Sequence, residues 1–180
     1  VTGGIAAYKT ASIVSALKKE RADVHVIMTK NATEFISPLV FETLTGNKCM
    51  TDTFYRDFKF DVAHISIAKA ADYFVVAPAT ANFIAKASYG MADDMLTTTF
   101  LAANCPKLVV PAMNTQMFLN PITHGNIMRL LKFGIRVMQP SSGVLACGDV
   151  GVGKMPEPEA IWEEVLFDLA YAKDLAGKKV

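Results

Sequence analysis

Short apolar runs alternate along this chain with stretches of helical period. The runs Asp23–Met28, Tyr73–Ala77, Leu108–Pro111 and Ile135–Met138 predict strands. Between them the apolar positions of Ala6–Lys19, Asn82–Tyr89, Asp94–Ala103 and Asn120–Phe133 recur at helical spacing, and a further helix is expected to begin near His64. Pro158–Tyr171 predicts a closing helix, with Glu159, Glu163 and Glu164 near its positively polarised start. Continuously apolar strands separated by helices predict an α/β fold, a doubly wound parallel sheet covered on both faces. Such sheets bind ligands beyond the carboxyl ends of their strands.

The two ends extend this pattern. Val1 reads as the last residue of a first strand, with Thr2-Gly3-Gly4 as the turn into the first helix, and "AGKKV" (residues 176–180) reads as the opening of another strand. The expected division is a domain over residues 1–175 and the start of a linker or second domain over 176–180.

Composition narrows the function. Of 180 residues, 52% are hydrophobic and 19% charged, which predicts buried subunit contacts. A net charge of +1 gives no electrostatic basis for binding nucleic acid or an anionic membrane. Cys49, Cys105 and Cys147 are odd in number, widely spaced and without a C-x-x-C pair, which argues against a disulfide scaffold or a zinc site and fits a reducing cytoplasm.

Candidate chemistry clusters at the strand ends. "TGGIAAYK" offers backbone N–H groups of Gly3, Gly4 and Ile5 to a phosphate, or is a plain tight turn. Thr29, after the second strand, suits a phosphate oxygen or caps a helix. In "APATANFIAKASYG" the small Ala79, Thr80 and Ala81 admit a flat ring, and Asn82 carries both donor and acceptor. Asp93 and Asp94 read as caps rather than catalysts. Asn114 of "PAMN" is placed to hold a substrate carboxylate. Of the histidines, His25 falls inside a strand and His124 inside a helix, which leaves His64 the best placed for catalysis.

"ACGDVGVGKM" matches G-x-x-x-x-G-K from Gly148 to Lys154, as a P-loop would. Met155 lacks the hydroxyl that would hold Mg²⁺, and Pro156 and Pro158 forbid a helix where the phosphates would need one. The segment reads instead as a glycine loop carrying a thiol and an amine.

Taken in order and spacing, "GGIAAYK", His64, "APATAN", "GMADDML", "PAMN" and "ACGDVGVGKM" resemble the flavin-dependent cysteine decarboxylases over nearly the whole chain, most closely the branch serving coenzyme A synthesis. The resemblance implies a flavodoxin-like fold, bound FMN, and trimers or dodecamers built from trimers with the flavin at a subunit contact. It implies decarboxylation of 4'-phospho-N-pantothenoyl-L-cysteine to 4'-phosphopantetheine by thiol oxidation, CO₂ loss and re-reduction, and often a fused phosphopantothenate–cysteine ligase domain. By matching position, Gly3, Gly4, Ile5, Thr29, Phe35, Ala79, Thr80, Ala81, Asn82 and Ala112 would contact FMN. Asn114, Met117, Ala146 and Lys154 would contact the substrate, with His64 and Cys147 catalytic and Cys147 the acid on a flap. The competing readings are a peptidyl-cysteine decarboxylase, a flavin prenyltransferase, a non-catalytic FMN-binding regulator and a flavodoxin-like electron carrier. The regulator typically lacks one of the three residues His64, Asn114 and Cys147, all present here, and the carrier would normally be acidic.

Overall fold

The computed structural model describes residues 1–53, 63–146 and 148–170. In chain order the helices and strands are α1 (Thr10–Lys19), α2 (Pro38–Thr45), α3 (Ala63–Ala70), β1 (Phe74–Ala79), α4 (Ala81–Ser88), α5 (Met95–Ala102), β2 (Lys107–Pro111), α6 (Thr115–Leu119), α7 (Pro121–Lys132), β3 (Arg136–Val137), β4 (Ser141–Val144), β5 (Val150–Lys154) and α8 (Pro158–Ala170). Tyr171, the expected end of α8, and the expected boundary at residue 175 lie outside the described residues.

β1, β2 and β3 pair in parallel in that order. The expected strand Asp23–Met28 is reduced to an isolated bridge at Ile27, although its backbone bonds to a neighbour on each side. On one side Val1 donates to the Ile27 carbonyl (2.7 Å) and accepts from the Thr29 N–H (3.0 Å). On the other, Met50 forms a parallel bridge with Ile27, the Met28 N–H donating to Met50 and the Met50 N–H to Val26, both at 2.9 Å. Thr2 then carries the register across to β1, its N–H donating to the Pro78 carbonyl at 3.3 Å. The spatial order is therefore Met50, Val26–Thr29, Val1, β1, β2, β3. This is a doubly wound sheet whose direction of travel reverses between Val1 and β1.

Alternation along the strands distributes side chains to two cores. Val76 and Val109 point into one with Phe83, Ile84, Leu96, Phe100 and Leu130, from the helices α4, α5 and α7. Ala77, Leu108 and Val110 point into the other, against Ile13 of α1 and Ile161 and Val165 of α8. On the second layer, Tyr73 and Arg136 both bond to Asp168 of α8, whose side chain is buried, and this ties the closing helix to the amino end of the sheet. Burial and the Asp168 contact push the Tyr73 phenol well above its usual range.

Two further expectations change. The first helix opens with a 3-10 segment, Ile5–Lys9, before α1. The expected glycine loop, residues 146–155, is instead the turn and second strand of an antiparallel hairpin, β4 with β5. Glycine is needed there for contact as well as flexibility. The Gly153 carbonyl accepts the Met113 N–H at 3.0 Å, and a Cβ at Gly153 would stand 2.3 Å from the Met113 oxygen. A Cβ at Gly151 would meet the Thr115 side chain at 2.5 Å. Gly153 also sits at φ +134, a conformation that side chains resist. Gly153→Ala is expected to cost about 2 kcal/mol or more and to raise hydrogen exchange at the Met113 amide. A wild-type urea midpoint with unchanged protection there would contradict this packing.

Candidate active site

Every strand end at the reversal point delivers a candidate residue to the same edge. Thr2 is the knot: 1% exposed, its hydroxyl donates to the Pro78 carbonyl (2.8 Å) and accepts from the Thr80 N–H (3.0 Å). The Gly3–Gly4 turn is thereby held against the Thr80 turn. A Cβ at Gly3 would lie 2.4 Å from Asn31 Cβ, so glycine alone lets the turn approach the segment after Thr29, whereas at Gly4 the nearest atom would be Thr80 Cγ2 at 3.8 Å. The Ala112 N–H donates to the Ala79 carbonyl at 3.0 Å, which joins the end of β2 to the end of β1.

The walls of this crevice are small or hydroxylated. Ala79 is fully buried at the floor, Thr80, Ala81 and Ala112 are half-buried, and Asn82 is exposed in the first turn of α4. Ile5 and Phe35 are large apolar side chains left 60% and 48% exposed beside these turns. Thr29 and Thr80 both act as caps, accepting from the N–H groups of Ala32 (3.3 Å) and Phe83 (3.4 Å). The cap reading of Thr29 thus holds in the structure, and capping leaves its hydroxyl fixed at the strand end. Asp94 closes a capping box with Thr97, and Asp93 pairs with Lys86, whose hydrogen bond holds the carboxyl below its usual range.

Asn114 ends β2's exit turn. Its Oδ1 accepts the Gln116 N–H at 2.8 Å and its Nδ2 donates to Asp149 Oδ2 at 3.1 Å. The first bond fixes which end of the amide is the donor. Met117, 48% exposed, follows on α6. Ala146 is exposed in the β4–β5 turn, where the Leu145 N–H donates to the Asp149 carbonyl at 2.8 Å. Lys154 pairs with Glu157 at 3.1 Å, and Lys9 reaches the same carboxylate at 2.8 Å, so the Lys154 charge is already partnered.

His64 is half-buried in the first turn of α3. A helix leading by a short connection into a parallel strand runs antiparallel to it, so the start of α3 lies toward the carboxyl ends of the strands, on the crevice side. The candidate acid Cys147 lies outside the described residues. The other two thiols are poor acids, since burial pushes Cys49 up to about 11 and raises Cys105 as well. Among the described residues no group of three or more His, Cys, Asp or Glu could hold a metal ion, and no helix is long and apolar enough to cross a membrane.

Sequence reading missed Thr2 and Asp149. The hydroxyl next to the glycine turn signalled the first. The second stood beside Cys147, where the thiol, the glycines and the Lys154 amine drew notice and the carboxylate did not.

Comparison with known proteins adds to this geometry. The Flavoprotein family model matches residues 1–169. The chain belongs to the Flavoprotein family. A bifunctional coenzyme A biosynthesis protein, CoaBC of Bacillus subtilis, is 48% identical over 182 residues, covering 100% of this chain and 45% of that protein. A probable phosphopantothenoylcysteine decarboxylase of Streptococcus mutans is 43% identical over 167 residues, covering 92% of this chain and 93% of its own. The chain thus spans under half the length of the bifunctional relatives and nearly all of the shorter one. Among solved structures, a PPC decarboxylase mutant complexed with pantothenoylaminoethenethiol superposes with TM-score 0.82 at 30% identity, covering 94% of this chain and 95% of that one. The FMN-dependent cysteine decarboxylase SpaF gives TM-score 0.81 at 30% identity, with 94% of each chain covered. The flavodoxin-like, doubly wound architecture of this Flavoprotein member is shared with both.

Proposed function

We propose that this protein is an FMN-dependent carboxy-lyase that converts 4'-phospho-N-pantothenoyl-L-cysteine to 4'-phosphopantetheine. The observation that carries the reading is the convergence of the Gly3–Gly4, Thr29, Thr80–Asn82 and Asn114 turns on one crevice at the point where the sheet reverses. The Streptococcus and Bacillus relatives support the substrate, and SpaF supports the cofactor.

The residues present fit a flavin. Glycine and threonine backbone at two adjacent strand ends suits a phosphate. The small Ala79, Ala81 and Ala112 leave room for a flat ring, with apolar Ile5 and Phe35 to cover it. When bound, a flavin supplies a two-electron acceptor for a thiol and later returns the hydride. The protein's own groups do the rest. Asn114 Nδ2 donates to the substrate carboxylate and orients it. His64, at the crevice end of α3, takes the proton from the substrate thiol as that thiol is oxidised. When CO₂ leaves, the electron pair of the broken C–C bond passes into the thioaldehyde, which becomes an enethiolate, and Cys147 protonates the carbon that carried the carboxylate. A solved relative holds an ethenethiol, which supports an enethiol as the species that awaits this proton.

The exposed apolar Ile5, Tyr8, Phe35, Leu39 and Val40 favour a subunit contact beside the crevice, in trimers or dodecamers of trimers. A phosphopantothenate–cysteine ligase that makes the substrate is the proposed partner activity, supported by relatives that are bifunctional in coenzyme A biosynthesis, and the cytoplasm is the proposed setting.

Asn114→Asp tests the site directly. It sets a like charge against the substrate carboxylate at a cost on the order of a few kcal/mol. The variant is expected to purify yellow and fail to turn over. Loss of flavin with substrate affinity retained would remove Asn114 from its proposed place.

A further inference from the structure

We infer that Asp149 is a placeholder for the substrate carboxylate: it accepts from the Asn114 amide nitrogen that the substrate is proposed to use, and so sets how the site tells substrate from product. The inference rests on the proposed role of Asn114. Its own ground is the 3.1 Å bond from Asn114 Nδ2 to Asp149 Oδ2. The Gln116 N–H holds Asn114 Oδ1 at 2.8 Å, so the amide cannot turn its donor end elsewhere without losing that bond.

Asp149 is held to this contact from its own side. Its carbonyl accepts the Leu145 N–H at 2.8 Å, and β5 starts at the next residue. β5 is in turn fixed to the same exit turn of β2, through Met113 to Gly153 at 3.0 Å and through the close packing of Gly151 on Thr115. The carboxylate is thus delivered to the amide by a braced strand. Lys154, the cation of the hairpin, is engaged by Glu157 at 3.1 Å.

Nδ2 carries two N–H groups, but two carboxylates bonded to one amide nitrogen lie side by side at contact distance and repel. A carboxylate ligand therefore binds against the Asp149 charge or moves it aside, and its apparent affinity is lowered by that cost. The decarboxylated product makes no claim on that amide. Asp149 can hold Asn114 while product is bound, and the cost selectively weakens the ligand that carries the carboxylate.

The experiment is calorimetric titration of the FMN-loaded protein with two ligands: phosphopantothenoylserine, which keeps the carboxylate but lacks the thiol that reacts, and phosphopantetheine, which lacks the carboxylate. Asp149→Ala is expected to bind the serine compound about two- to tenfold more tightly and phosphopantetheine unchanged. The isosteric Asp149→Asn should show a smaller gain of the same sign, and Asp149→Ala should have no effect on either ligand when combined with Asn114→Ala. Equal changes for both ligands would mark Asp149 as merely structural and overturn the inference. Asn114→Ala alone separates the two ideas. If it weakens the serine compound while Asp149→Ala does not strengthen it, the placeholder is wrong and the Asn114 role stands. If Asn114→Ala leaves the serine compound unaffected, both fall.

Discussion

Cys147→Ser is expected to complete the first half of the reaction and stop. On anaerobic addition of phosphopantothenoylcysteine its flavin absorbance falls and CO₂ appears, but the released organic product is two hydrogens lighter than phosphopantetheine. Serine keeps the shape of cysteine, so binding and thiol oxidation proceed. Its hydroxyl is a far weaker acid than a thiol of pKa about 8.5, so the enethiolate waits for a proton. Loss of a positioned proton donor of this kind typically slows a reaction by about 10²–10⁴-fold. The other two thiols cannot replace it: Cys49 is buried with its thiol pushed up to about 11, and Cys105 precedes β2, at the opposite end of the strands from the crevice. Normal product at a normal rate would show that Cys147 only covers the site.

His64→Asn is expected to fail earlier and more completely. Asparagine keeps a hydrogen-bonding group in the first turn of α3 but cannot accept a proton at neutral pH. The flavin should remain oxidised when substrate is added, and no CO₂ should form, a loss of about 10²–10⁴-fold or more. Because His64 is half-buried at a helix start rather than in either core, the variant should keep its fold and its colour. Normal flavin reduction by this variant would assign His64 to the wrong half of the cycle. Together the two variants divide the reaction at the enethiolate, which neither could do alone.

The fold was legible where period and burial agree. α4, α5 and α7 begin and end within one residue of their expected bounds, because Thr80, Asp94 and Asn120 cap them with side-chain bonds that short polar residues signal in sequence. β1 and β2 stood out as unbroken apolar runs because both of their faces are covered. α2 drew no expectation, although Ser37-Pro38 and Gly46 bracket it with an N-cap, a first-turn proline and a left-handed stop. Only Phe41 and Thr45 of its eight residues are buried, too few to set a period. The β4–β5 hairpin was hidden by glycine, which reads as loop in sequence but here admits the Met113 and Thr115 backbone and side chain.

The site was legible as a set of strand-end turns, since the order of elements places those turns together. What joins them was not. The Thr2 hydroxyl bridges positions 76 and 78 residues away, and Asp149 reaches Asn114 across 35. Contacts of that range follow from the crossing point of the sheet and leave no local pattern.

The central claim is that this crevice removes CO₂ from phosphopantothenoylcysteine with a flavin as electron partner. The most direct measurement is anaerobic mixing of the purified protein with that compound while flavin absorbance, CO₂ and product mass are followed. The account predicts a yellow protein whose flavin is oxidised again at the end of each turnover, with one CO₂ and one 4'-phosphopantetheine per substrate consumed and no reaction with a peptide ending in cysteine. A colourless protein, or a yellow one that decarboxylates only the peptide, would contradict it.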